Sequence, residues 1–134
     1  MALEIERREK EDIVILDVSG RIVLGDPASI LRSTLREMTE SGVKNIILNL
    51  EKVDYIDSTG LGVLVMAATT LQKAGGALKL LNLNRRNIEL MVMTKLSTIL
   101  EIFKDETDAL NSFFPDRKIN RFDILSFVKS QKGQ

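Results

Sequence analysis

The run Asp57-Ser58-Thr59-Gly60-Leu61-Gly62 holds the residue types and order in this chain that could do chemistry. An apolar stretch ending in Val53-Asp54-Tyr55-Ile56 precedes it, and Leu61 to Leu71 follows, which predicts strand, short turn and helix. Ser58 then falls at or next to a helix N-terminus, where its hydroxyl oxygen can accept a hydrogen bond from a free backbone N–H as a cap. The same N–H groups and the helix dipole favour a phosphate on that oxygen. Gly60 and Gly62 remove side-chain bulk from the first turn and let another protein's backbone come close. On spacing alone, Ser58 as a plain cap and Ser58 as a regulated or partner-binding hydroxyl stand equal.

Catalysis has little to work with. A serine nucleophile needs an activating base; the chain has no histidine, and no lysine lies near Ser58. Cysteine is also absent, which removes thiolate chemistry, disulfides and Cys-based zinc sites. No phosphate-cradling G-x-x-x-x-G-K-[ST] loop is present. Gly60-Leu61-Gly62 superficially matches a dinucleotide fingerprint, but the third glycine is missing and Met66 follows instead. Asp54 and Asp57 supply too few oxygens for Mg²⁺ or Ca²⁺ and read as a turn residue and a helix-start residue. No catalytic residue, cofactor or metal site is expected.

The 134 residues suffice for one domain, and 44% hydrophobic content excludes a wholly disordered chain. Lys+Arg and Asp+Glu both number 19, so no global field draws the protein to nucleic acid or anionic membrane. No apolar run reaches the roughly 20 residues of a membrane helix, and the charged N-terminus lacks a signal-peptide apolar region. A cytoplasmic protein is expected.

These residues must be positioned by the elements around them. Ala2 to Arg7 alternates as a half-buried strand, Glu9 to Asp12 is a charged turn, and Ile13 to Val18, closed by Ser19-Gly20, completes a hairpin. Asp26 as N-cap and Pro27 at the first position open a helix that Gly42 ends. Asn45 to Leu50 is an interior strand. The helix after Ser58 carries a core stripe of Leu61, Leu64, Val65, Ala68 and Leu71, with Val63, Met66, Thr70 and Lys73 toward its other side; Val63 and Met66 read more simply as extra core. Ile46, Ile47, Leu48, Leu78 and Leu80 complete the expected core. Ala77 to Leu83 is a strand, Asn87 to Leu96 a helix, Ile99 to Phe103 a short edge strand, and Asp105 to Phe114 a helix. The order β-β-α-β-α-β-α-β-α predicts an α/β fold with a mixed, mainly parallel sheet. Residues 1–114 form the domain. Residues 115–134 form a basic extension in which Phe122 to Val128 predicts a short amphipathic helix.

The stretch from Asn45 to Gly62, with its Asp57-Ser58-Thr59-Gly60-Leu61-Gly62 core, closely resembles the signature of STAS-domain anti-sigma factor antagonists. The resemblance spans about Leu3 to Phe114 and includes Ser19-Gly20, the glycine pair after the central helix and the Thr94-Lys95-Leu96 turn, where Lys95 stands in place of a frequent glycine. It implies a phosphorylation switch. An anti-sigma factor that is also a serine kinase phosphorylates the serine matching Ser58; the unmodified protein binds that kinase and frees a sigma factor, and a serine phosphatase resets the system. The resemblance also implies partner contacts from the loop before the first helix, Arg21 to Pro27, longer here than usual, with Asp26 the matching aspartate. The expected partner-binding surface is Asp57, Ser58, Thr59, Gly60, Gly62, Val63, Met66 and Asp26. The extension lies outside the pattern. The alternative is a STAS module serving as a scaffold subunit of a larger sensory or transport assembly, with Ser58 only a cap.

Overall fold

The computed structural model describes residues 3–132. Ala2, where the expected first strand begins, and the last two residues of the extension lie outside them. β1 (Glu4–Lys10) and β2 (Ile13–Ile22) form the antiparallel hairpin. Its two turn residues, Glu11 and Asp12, have φ values of 51° and 67°, the doubly left-handed geometry that matches the twist of flanking strands. Then come α1 (Asp26–Glu40), β3 (Asn45–Ile56), α2 (Ser58–Lys73), β4 (Ala77–Leu81), α3 (Arg85–Met93), β5 (Glu101–Phe103) and α4 (Glu106–Asn111). The sheet order is β1-β2-β3-β4-β5, and β2 through β5 are parallel. Each crossover steps to the next strand in the same direction, so right-handed connections place α1, α2 and α3 on one face.

Strand alternation fills that face with Val14, Leu16, Ile46, Leu48, Leu50, Leu78 and Leu80, against Leu31 and Leu35 of α1, Leu61, Leu64 and Leu71 of α2, and Met91 of α3. Of the expected core, Val65 and Ala68 are half-buried and the rest buried. Ile47 turns to the opposite face, where it joins Ile13, Ile15, Leu81 and Phe103 beneath Ala109 and Leu110 of α4. Arg8 clasps α4 to that face, bonding Asp17 at 2.6 and 2.9 Å and Glu106 at 2.7 Å. These bonds are the first cause holding both carboxyls below their ordinary range. The buried Lys79 ammonium donates to Ser112 Oγ at 2.8 Å and lies 4.4 Å from the centre of the Phe113 ring.

Several boundaries differ from expectation. β3 continues to Ile56 because Val53 and Ile56 stay buried while Glu51, Lys52, Asp54 and Tyr55 face solvent. α3 starts at Arg85, capped by Asn84, and ends at Met93, before a short 3₁₀ turn at Leu96–Thr98. α4 starts after its cap Asp105 and stops at Asn111. β5 begins only at Glu101. The cap position of α1 belongs to Gly25, whose φ of 104° requires glycine, with no side-chain cap. Asp26 is instead the first helical residue, where the dipole favours its charge.

The extension forms α5 (Ile124–Lys132). Phe122, Ile124 and Phe127 pack against the helix-side core. Arg121 pairs with Glu101 of β5 at 3.0 Å, and Lys104 Nζ lies 4.9 Å from the centres of the Phe122 and Phe127 rings. The segment thus docks beside the edge strand. Among the described residues no helix is long and apolar enough to cross a membrane.

Candidate functional site

β3 delivers the chain to α2 through one extended residue, Asp57, with φ −96° and ψ −176°. Its backbone N–H donates to Ile22 O at 3.2 Å, and its carbonyl accepts from Leu61 N at 2.9 Å. Its side chain is the cap: Oδ1 accepts from Gly60 N and Oδ2 from Leu24 N, both at 2.9 Å. The Gly60 bond, then the Leu24 bond, hold this carboxyl below its ordinary range, as N–H donors aimed at a carboxylate must. One side chain therefore starts α2 and ties down the loop that leads into α1.

Ser58 is not the cap. It is the first residue of α2, exposed, and its hydroxyl makes no hydrogen bond with the described residues. The one-residue shift frees the hydroxyl from any structural duty. Thr59 is half-buried.

The two glycines divide. A Cβ at Gly62 would meet nothing within 4 Å, so Gly62, one turn beyond Ser58, leaves an open surface. Gly60 is buried, and a Cβ there would press on the Ile22 carbonyl, with Ile22 Cγ2 at 2.8 Å and Ile56 Cγ2 at 2.9 Å. The missing Cβ at Gly60 therefore serves internal packing, and not the open surface expected of both glycines. Val63 is likewise buried, at 2% exposure, whereas Met66 is 52% exposed. Ser58, Gly62 and Met66 follow at i, i+4 spacing and form one exposed ridge of α2. Asp26 is exposed at the start of α1, two residues past the tie at Leu24.

Two features escape sequence reasoning. Leu24 is 75% exposed, and only the fold brings its N–H to Asp57. The end of β3 is braced from α3: Asn84 Nδ2 donates to Asp54 O at 3.2 Å, and buried Asn87 Nδ2 to Val53 O at 3.1 Å. The available signal is an Asn three residues before another at a helix start: Asn84 Oδ1 caps α3 by accepting from Asn87 N at 2.8 Å. Among the described residues no group of three or more Asp, Glu, His or Cys could hold a metal ion.

An exposed hydroxyl at a helix start thus stands beside open surface, at the C-terminal edge of a parallel sheet. The STAS-domain family model matches residues 4–109. The anti-sigma-B factor antagonist of Bacillus subtilis (strain 168) is 35% identical over 102 residues, covering 76% of this chain and 92% of that protein. An anti-sigma factor antagonist from Mycobacterium paratuberculosis superposes with a TM-score of 0.74 at 18% identity, covering 83% of this chain and 93% of that one. The Bacillus cell fate determinant SpoIIAA, in its phosphorylated form, superposes with a TM-score of 0.64 at 18% identity, covering 81% and 98%. This chain belongs to the STAS-domain family of anti-sigma factor antagonists, which are non-enzymatic regulators of transcription.

Proposed function

We propose that this protein is a cytoplasmic anti-sigma factor antagonist switched by phosphorylation of Ser58. With a free hydroxyl it binds an anti-sigma factor that is also a serine kinase, and the sigma factor is released. Phosphate transfer from ATP to Ser58 Oγ ends that binding, and a serine phosphatase restores it. The observation that carries the reading is the division of labour at the start of α2: Asp57 caps, and Ser58 is left exposed and unbonded. The B. subtilis relative acts, by its name, against an anti-sigma-B factor, and one protein of this fold is known in a phosphorylated form.

A phosphate adds about −1.5 to −2 charges and three strong acceptors. The dipole of α2 favours the added charge at its N-terminus, so the fold survives. Asp57 and exposed Asp54 add to the negative charge. A partner surface shaped around a neutral hydroxyl and the open space at Gly62 then meets both bulk and charge. The scaffold alternative gives Ser58 only a capping role, and Asp57 fills that role. The test is phosphosite mapping after incubation with the anti-sigma factor and ATP. One phosphate at Ser58, absent from Ser58→Ala, is expected; modification elsewhere, or none, contradicts the reading.

A further inference from the structure

α1 and α2 do not close against each other along their outer edges. They leave a groove of about 340 Å³. Its floor is Leu35, Val63 and Ala67, and Met66 and Thr70 of α2 form one wall. That wall continues the exposed ridge of Ser58 and Gly62 at the same i, i+4 spacing. The other wall carries Arg32 and Arg36, one turn apart on α1. Neither arginine makes an ion pair or a side-chain hydrogen bond with the described residues, and Arg32 Nε is buried with no partner. Glu40 lies a turn beyond Arg36, so the positive charge gathers toward the Ser58 end.

A buried guanidinium N–H without an acceptor costs free energy unless something supplies one. Two forked donors over an apolar floor match carboxylates carried on an apolar segment. Two helical turns measure roughly 11 Å, the span of successive i and i+3/i+4 anchors of a docked helix. We infer that the α1–α2 groove receives an acidic, apolar-faced helical segment of the partner protein, its carboxylates on Arg32 and Arg36 and its apolar side chains over Leu35, Val63 and Ala67. The inference rests on the reading of this protein as an anti-sigma factor antagonist and names the chemistry of what it binds beyond Ser58. It also adds a reason for phosphate to expel the partner, since an acidic segment then lies beside the modified residue.

The probe is a synthetic amphipathic helix of about 14 residues bearing leucines at i and i+3/i+4 flanked by glutamates, compared with the same peptide bearing lysines instead. Each is titrated into the full chain and followed by amide chemical shifts. The glutamate peptide should saturate and move Arg32, Arg36, Met66 and Thr70, and the lysine peptide should not. Arg32→Gln and Arg36→Gln should each weaken binding roughly tenfold, the value of a charge-assisted bond, with melting temperatures not lowered, because neither side chain makes a hydrogen bond or ion pair with the described residues. Lys118→Gln, on the opposite side of the molecule, should leave binding unchanged. Raising salt from about 50 to about 300 mM should weaken it. No saturable binding, equal binding of both peptides, or shifts elsewhere would overturn the inference. So would concentration-dependent shifts of the same amides without peptide, which assign the groove to a second copy of this chain. Groove binding with phosphate mapped away from Ser58 supports the groove and defeats the Ser58 reading; the reverse pair of results defeats the groove alone.

Discussion

Removing the Ser58 hydroxyl takes away no hydrogen bond, so Ser58→Ala should change stability by less than ~0.5 kcal/mol. Asp57→Ala removes the cap and the tie to Leu24 together and should cost ~0.5–2 kcal/mol. Chemical denaturation of the two variants measures the contrast, and equal losses would return the cap to Ser58. Because the folded Asp57 carboxyl sits below its ordinary range, the stability it contributes is present above the unfolded value of ~3.9. It is lost as pH falls through the folded value, so the gap between wild type and Asp57→Ala should narrow in acid. The glycines separate in the same way. Gly60→Ala meets Ile22 and Ile56 and should destabilise by ~1–3 kcal/mol. Gly62→Ala enters open space in a helix and should be neutral or stabilising by ~0.4–1 kcal/mol. A bulkier Gly62→Leu should keep the fold and lose the partner. Raised salt should partly restore partner binding to Ser58→Asp but not to Gly62→Leu, since screening acts only on charge.

At the level of elements, α2 is held by the sheet below and α1 beside it. Leu64 is fully buried, and Leu64→Ala should cost ~2–5 kcal/mol; an unchanged denaturation midpoint would reject its placement. The same two-sided burial explains why Val63, off the main stripe, is buried as extra core while Met66 is exposed: a helix covered on two flanks needs a wider apolar arc than one stripe, and the sequence does not announce where its neighbour ends. Strand and helix order was legible because β-branched runs alternate with capped, amphipathic segments. The ends were less so. Asp57 and Ser58 are both good capping residues, and only the backbone angles choose between them. The role of Gly60 depends on Ile22, 38 positions earlier, and no local pattern carries such contacts. The extension was legible as an amphipathic helix from Phe122, Leu125 and Val128 at spacing three, but Leu125 is exposed and Phe122, Ile124 and Phe127 are the residues that pack. Truncation after Pro115 should bare the surface beneath Phe122, Ile124 and Phe127 and raise binding of an apolar dye; unchanged dye binding would mean the segment covers little.

For the whole molecule, net charge is zero, so no global field selects a partner, and the proposed contacts are local ones on the α1 and α2 side. The opposite side carries the Arg8, Asp17 and Glu106 cluster, which links β1, β2 and α4. Phosphorylation should act at the first side without loosening the second, leaving the unfolding transition of the modified protein close to that of the unmodified one. The central claim is that one hydroxyl controls partner binding while the fold stays intact. Titrating unmodified and Ser58-phosphorylated protein against the anti-sigma factor, with nucleotide present, tests it most directly. Tight binding by the unmodified protein and by Ser58→Ala, with at least ~100-fold weaker binding by the phosphorylated form (at ~1.4 kcal/mol per tenfold), is the predicted result. Equal affinities for the phosphorylated and unmodified proteins would contradict the account.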